Sequence, residues 1–344
     1  MDEFKKELIA LEVIRTLKSR FDNFPEDASD NRNAPFHEVF LEAFKIKIEK
    51  HVTDTPIFIS LASWVHGLNT SLGQSFFERV SHILADGEKR EFKNLLISKK
   101  QQAIISDIIA ALKNRMRYPN LMNENKEIFI SDKTKNVSTS NFSADVYFED
   151  RDKLILIELK TVKPNSDIFK EQKTKFLNAK AALKNNFPNK EIYFYLGFPF
   201  DPLHNQKTGF DKDRFFGYGI DFKKYFDKSE VLLADELWEF LSQEKNTMSN
   251  ILRIINSIAK ANFIEKFNFI NDPGNFNINP AKYKKILLQW HLERELKILR
   301  NLKKLKKVAK HEKGINRKLK QNLFDSQTNY KEPRIYSLLN AIKN

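Results

Sequence analysis

The chain has 344 residues, 41% of them hydrophobic and 30 of them phenylalanine, enough for one large domain or for one domain with an appendage. Cysteine is absent, which excludes disulfides and thiolate metal sites, and no window approaches the roughly 20 apolar residues that span a bilayer. The net charge of +14 is concentrated: Lys282–Lys320 holds 15 Lys or Arg against three Glu, so this stretch points to a polyanionic partner, although solvated helix faces also collect lysine.

In chain order, Asp2–Lys18 has apolar residues near helical period behind Asp2 as a cap, without the apolar centre of a signal peptide, so a soluble cytoplasmic protein is expected. Phe24–Pro35 reads as a polar loop and Phe36–His51 as a helix. Ile57–Leu68 is a dense apolar segment expected to be a buried helix. Leu68–Gly73 looks like a turn, and a helix then runs through Phe76, Val80, Ile83 and Leu84. Lys100–Met116 is a further helix and Asp132–Ser143 a polar loop. Ser143–Phe148 and Leu154–Lys160 form a β-hairpin around five polar residues, Glu149–Lys153. Ser166–Asn185 is helical, Glu191–Phe198 is an aromatic strand, and Trp238, Phe240 and Leu241 lie in a helix. From Tyr283 onward the chain reads as one long basic helix. Strand, strand, helix, strand between helical ends indicates a mixed α/β fold.

The hairpin contains LILIELKTVKPN, an aliphatic run interrupted by Glu158 and Lys160. Buried ionised groups cost several kcal/mol unless paired or metal-bound. Alternation puts Glu158 and Lys160 on one face of the strand and Ile157, Leu159 and Thr161 on the other. Asp145, across the hairpin, can bring its carboxylate near the first face. Two acidic oxygen donors suit Mg²⁺, and a lysine beside them can orient water and stabilise charge on a phosphate. The arrangement suits metal-assisted attack of water on a phosphodiester. An ordinary solvated Glu–Lys pair at a strand end is the plain alternative. Lys170, Lys173 and Lys175 make the exposed side of the next helix basic, as a DNA-facing element would be. Lys163 and Asn165, just after the strand, are further candidates for contacting the DNA backbone.

Asp145…Glu158-Leu159-Lys160 resembles the PD-(D/E)XK nuclease signature, with Ala144 at the proline position. WVHGLNTSLGQSFFE (Trp64–Glu78), IELKTVKPN (Ile157–Asn165) and LLADELWEFL (Leu232–Leu241) resemble the TdeIII family of type II restriction endonucleases. That resemblance runs from about residue 30 to 245 and leaves the last 80 residues without a counterpart. It implies a restriction-endonuclease-like core, a mixed sheet flanked by helices, with Mg²⁺ on Asp145, Glu158 and the Leu159 carbonyl. Lys160 would position the attacking water, giving 5′-phosphate and 3′-hydroxyl ends on double-stranded DNA. Glu78 would be a further metal-site ligand or orient Lys160. The recognition sequence implied is a short interrupted palindrome of the GGNCC kind.

The expected division is a nuclease domain over 1–265, including its N-terminal helices, and a basic helical C-terminal extension over 266–344. Lys303, Lys304, Lys306 and Lys307 would contact phosphates or form the solvated face of an oligomerisation helix; a homodimer would place two active sites on two strands. A restriction enzyme also implies a DNA methyltransferase as its functional partner. The alternatives are a PD-(D/E)XK nuclease of repair or branched DNA, and a non-catalytic DNA-binding protein. His66 reads as a satisfied buried histidine, and no HExxH or GxxxxGK[ST] occurs, so neither a zinc site nor nucleotide hydrolysis has support. FGYG (Phe216–Gly219) reads as a turn.

Overall fold

The computed structural model describes residues 1–25, 55–131, 136–161, 166–219 and 221–343, together with positions 41, 44, 48 and 50. The helix expected over Phe36–His51 and most of the loop Phe24–Pro35 lie outside them. The chain packs as two units. Apart from Met1, one is the contiguous stretch Phe77–Asn250, and the other joins Asp2–Phe76 to Ile251–Asn344. The N-terminal helices thus fall in the same unit as the C-terminal ones, whereas the expected division at residue 265 grouped them with the nuclease domain.

The first unit is built on a five-stranded sheet of order β1-β4-β5-β6-β7. Its strands are β1 (Glu88–Phe92), β4 (Phe142–Asp150), β5 (Lys153–Leu159), β6 (Glu191–Phe198) and β7 (Val231–Leu233); short β2 (Leu96–Ser98) and β3 (Asn136–Ser138) pair separately. β1, β4 and β5 are antiparallel, whereas β5, β6 and β7 run parallel. The hairpin and the aromatic strand stand where expected. The turn is tighter than the five residues anticipated: Asp150 pairs with Lys153, and Arg151 takes a positive φ of 51°.

β5 is central, so Leu154, Ile155, Leu156 and Ile157 are buried on both faces, the pattern of a strand covered by helices on each side. On one face, Phe176 of helix Ser166–Asn186 meets Phe194 at 5.2 Å, and Phe142 meets Phe194 at 5.1 Å. On the other, Phe240 of helix Asp235–Ser242 reaches Tyr195 at 5.1 Å. Gly197 lets these layers close, since a Cβ there would stand 2.8 Å from Ile157 Cγ2 and 3.1 Å from Leu237 Cδ1. Full burial of each such aromatic or aliphatic side chain contributes about 1.5–3 kcal/mol.

In the second unit, helix Glu3–Asp22 is capped by Asp2, whose Oδ1 accepts the Lys5 N–H at 2.7 Å, and buries Ile9, Ala10, Val13 and Ile14. Helix Thr55–Ser71 is half-buried along most of its length rather than buried. The turn expected at Leu68–Gly73 is instead the end of that helix and a π-helical segment, Leu72–Phe76.

The single basic helix expected from Tyr283 is a set of separate helices: Pro280–Gln289, Glu293–Arg300, Leu302–His311, Lys313–Leu319 and Glu332–Lys343. The chain turns between them at His291, which has a φ of 56°, at Asn301 and at Glu312. The reason is tertiary. Ile298, Leu305, Ile315, Ile335 and Leu338 form one buried cluster with Val308 and Ala309 packed on it, and a straight helix could not fold back to close it. Ile298, Leu305 and Ala309, which lie at helical spacing, are therefore consumed within the chain. Among the described residues no helix is long and apolar enough to cross a membrane.

Candidate active site

The candidate site stands where the β4–β5 ladder stops. Pairing ends at Val146 opposite Ile157, so the Leu159 N–H finds no backbone acceptor on β4. Asp145 Oδ2 accepts it instead, at 2.9 Å. On its other side β5 continues with β6, the Lys160 N–H donating to the Gly197 carbonyl at 2.9 Å. Glu158 and Lys160 share a face, as alternation required, and Lys160 Nζ donates to Glu158 Oε1 at 2.7 Å. Asp145, Leu159, Glu158 and Lys160 are thus assembled by the strand end itself.

Glu78 projects from helix Phe77–Ala85, which packs against β4. Lys89 of β1 joins it to the hairpin: its Nζ lies 2.9 Å from Glu78 Oε2 and 3.6 Å from Asp145 Oδ1. One helical turn after Glu78, His82 Nε2 meets the Asp145 carbonyl oxygen at 2.7 Å and fixes the backbone that carries the carboxylate. Neither Lys89 nor His82 stood out in the sequence. The i, i+4 spacing of Glu78 and His82 was a usable signal; for Lys89, inside the charged run EKREF, there was none.

Burial, then the charge of Asp145, hold the Glu158 carboxyl above its usual range, against the pull of Lys160. The hydrogen bond to Glu78 holds the Lys89 ammonium above its usual range. The first shift is chiefly one of burial and the second of a single hydrogen bond, with the Asp145 charge adding to both. Among the described residues no three His, Asp or Glu side chains are grouped to hold a metal ion, so any cation here would rest on two carboxylates with backbone or water oxygens. That donor set fits Mg²⁺: the oxygens are hard, and the Lys89 ammonium between Glu78 and Asp145 shows that this edge accepts a cation.

The expected DNA contacts divide. Lys163 and Asn165 lie outside the described residues. Lys170 is half-buried in a cleft with Ser106, Lys113 and Asn178. Lys173 corrects the expectation of a solvent-facing basic side. It is 0% exposed, ion-paired with Glu124 and Glu230 and stacked over Phe226, and Lys180 Nζ reaches the same Glu230 at 3.1 Å. Burial alone would discharge Lys173, but the two carboxylates outweigh it and hold the ammonium above its usual range; Lys180, with one carboxylate, is pulled below. Lys303, Lys304, Lys306 and Lys307 are exposed, and Lys304 also donates to the Ile342 carbonyl at 2.7 Å in the last helix. His66 is exposed, not buried, and FGYG falls in helix Lys212–Tyr218 and its C-cap.

Residues 1–259 match the family model described as the type II restriction endonuclease HinfI. The chain is 45% identical to the type II restriction enzyme MjaII of Methanocaldococcus jannaschii, over 97% of this chain and 95% of that enzyme. No solved structure matches. The class implied by the sequence resemblance agrees with these findings; the family is HinfI, where the resemblance named TdeIII. The 97% coverage also gives most of residues 266–344 a counterpart in MjaII, which the resemblance did not.

Proposed function

The chain belongs to the HinfI family of type II restriction endonucleases and is a site-specific deoxyribonuclease, and from that premise we propose that its active site is Asp145, Glu158 and Lys160, acting on double-stranded DNA with Mg²⁺. The observation that carries this reading is the Asp145 bond to the Leu159 N–H beside the Lys160–Glu158 pair, which assembles all the motif residues at one strand end.

Asp145, Glu158 and the Leu159 carbonyl, on the same edge of its strand as the N–H that Asp145 receives, would hold the metal. A divalent cation bound there supplies Lewis-acid polarisation of the phosphate and a more acidic water. Glu158 holds the Lys160 ammonium, and Lys160 orients the water and stabilises charge developing on the phosphate. Asp145 couples the two strands, so its carboxylate is set by the hairpin rather than by its own rotamer. Glu78 supports the Asp145 edge through Lys89. Hydrolysis would leave 5′-phosphate and 3′-hydroxyl ends.

Lys303, Lys306 and Lys307, with Lys304 nearby, are proposed to contact DNA phosphates, as are Lys170 and, at the strand exit, Lys163 and Asn165. In support, Lys306 borders a cavity with Lys310 and Lys320, three exposed cations over the apolar floor of Leu299, Leu302 and Leu319. Cutting both strands calls for two active sites, which a homodimer would supply, and a DNA methyltransferase would protect the host. Of the alternatives weighed from the sequence, the family membership favours neither a repair nuclease nor a non-catalytic binder.

The test is incubation of the purified protein with unmethylated phage DNA, with Mg²⁺, with EDTA, and as Lys160→Ala. Discrete fragments in the Mg²⁺ wild-type reaction alone are expected, and mapping them reads out the recognition sequence. Equal cutting by Lys160→Ala would remove Lys160 from the site.

A further inference from the structure

Strand β1 is not regularly paired. Glu88 stands opposite Tyr147 and Arg90 opposite Ala144, so two residues of β4, Asp145 and Val146, face the single Lys89. This is a β-bulge, an arrangement that redirects side chains and is over-represented beside active sites. The approach to it is also specialised: Asp86 has a φ of 50°, and a Cβ on Gly87 would stand 2.8 Å from the Tyr147 carbonyl oxygen. The product is a lysine aimed at the Asp145 carboxylate from an edge strand.

Lys89 is the second positive charge of the pocket. Asp145, Glu158 and Glu78 contribute three carboxylates, and Lys160 is committed to Glu158. Asp145 turns Oδ2 to the Leu159 N–H and Oδ1 to Lys89, which also takes Glu78 Oε2. The two carboxylates are largely shielded, with side chains 17% and 24% exposed, whereas that of Lys89 is 54% exposed. The ammonium therefore closes a carboxylate-lined edge from the solvent side, on a flexible stem that can withdraw at little cost.

We propose that Lys89 is a resident counter-ion of the active site: it occupies the Glu78–Asp145 edge in the metal-free protein and must give way before a divalent cation can use those oxygens. It is a positioning residue, not a metal ligand. This inference rests on the reading of Asp145 and Glu158 as the metal-binding carboxylates. A competing cation lowers the apparent affinity for the metal, and removing it should raise that affinity.

The experiment is calorimetric titration of Ca²⁺ into the full-length protein without DNA. Lys89→Met should bind Ca²⁺ about tenfold more tightly than wild type, within the usual range of coupling between neighbouring sites. Lys89→Arg, which keeps the charge, should stay near wild type. Affinity unchanged or weakened in folded Lys89→Met, or equally raised in Lys89→Arg, would overturn the inference; Lys89→Gln replaces Lys89→Met if the latter does not fold. Glu158→Gln provides the separate control. If it leaves Ca²⁺ binding intact, the metal-site reading itself fails, whatever the Lys89 variants do.

Discussion

Asp145 and Leu159 meet across the end of the hairpin: a carboxylate oxygen of one accepts the backbone N–H of the other at 2.9 Å, where the strand ladder has run out. The carboxylate takes the place of a strand acceptor and, by doing so, is held where the β4–β5 pairing ends. Side chain and fold are therefore coupled at this point.

Replacing Asp145 by Asn keeps an oxygen able to accept that N–H but removes the charge. Asp145→Asn should fold and bind DNA like wild type while metal-dependent cleavage falls by at least about 10²-fold. Gel-shift and cleavage assays on the same preparation separate the two effects, and retained cutting would exclude Asp145 from the site.

The salt dependence of DNA binding tests the basic helix Leu302–His311. Each lost phosphate contact lowers the slope of log K against log[salt] by about 0.9. Lys303→Gln, Lys306→Gln and Lys307→Gln combined should therefore flatten the slope by up to about 2.7. Substitution is preferable to deletion here, because Leu305 of the same helix is fully buried and belongs to the core of its unit. An unchanged slope would place the phosphate contacts elsewhere.

Lys173 is held between Glu124 and Glu230 with no exposure of any of the three side chains. Removing one partner of a buried pair leaves an uncompensated charge and costs about 3–5 kcal/mol. Lys173→Met should lose stability on that scale in guanidinium unfolding. A loss below about 1 kcal/mol would show that water or a proton compensates the carboxylates.

Stability should also carry a pH signature from Glu7, 1% exposed beside Arg294. Burial, only partly offset by Arg294, pushes its carboxyl up from 4.5 to about 7. Between those values the unfolded chain has released a proton that the folded chain retains, so this group's contribution falls as pH rises. The cost is fully developed above pH 7 and amounts to ~3 kcal/mol. Wild type should therefore lose melting temperature relative to Glu7→Gln between pH 4.5 and 7.5. A constant difference would show that Glu7 ionises normally in the fold.

The sequence made the hairpin and β6 legible because their residues are aliphatic or aromatic and are buried as a central strand requires. β1 was missed because EKREF is charged at four of five positions, and its place comes from pairing with β4. β2, β3 and β7 are three residues long, too short for a period. In the candidate site, Asp145, Glu158 and Lys160 were legible as a spaced motif. Lys89 was not, because a bulge between distant strands aims it. Lys173 was misjudged although the pattern held the answer. It lies four residues after Phe169 and three before Phe176, both buried, and so shares their face.

One unit of the molecule is made from both ends of the chain. The Arg294 N–H donates to the Glu7 carboxylate across 287 residues of sequence. At about 5–20 residues per second, the ribosome needs roughly 15 to 60 seconds to deliver that partner. Through that interval the first helix carries Ile9, Val13 and Ile14, all buried in the finished unit, before that unit's C-terminal helices exist, while Phe77–Asn250 emerges as an uninterrupted stretch. Newly made chains thus pass through a stage in which the apolar face of the first helix waits for its unit to be completed, the stage at which a holding chaperone would meet it.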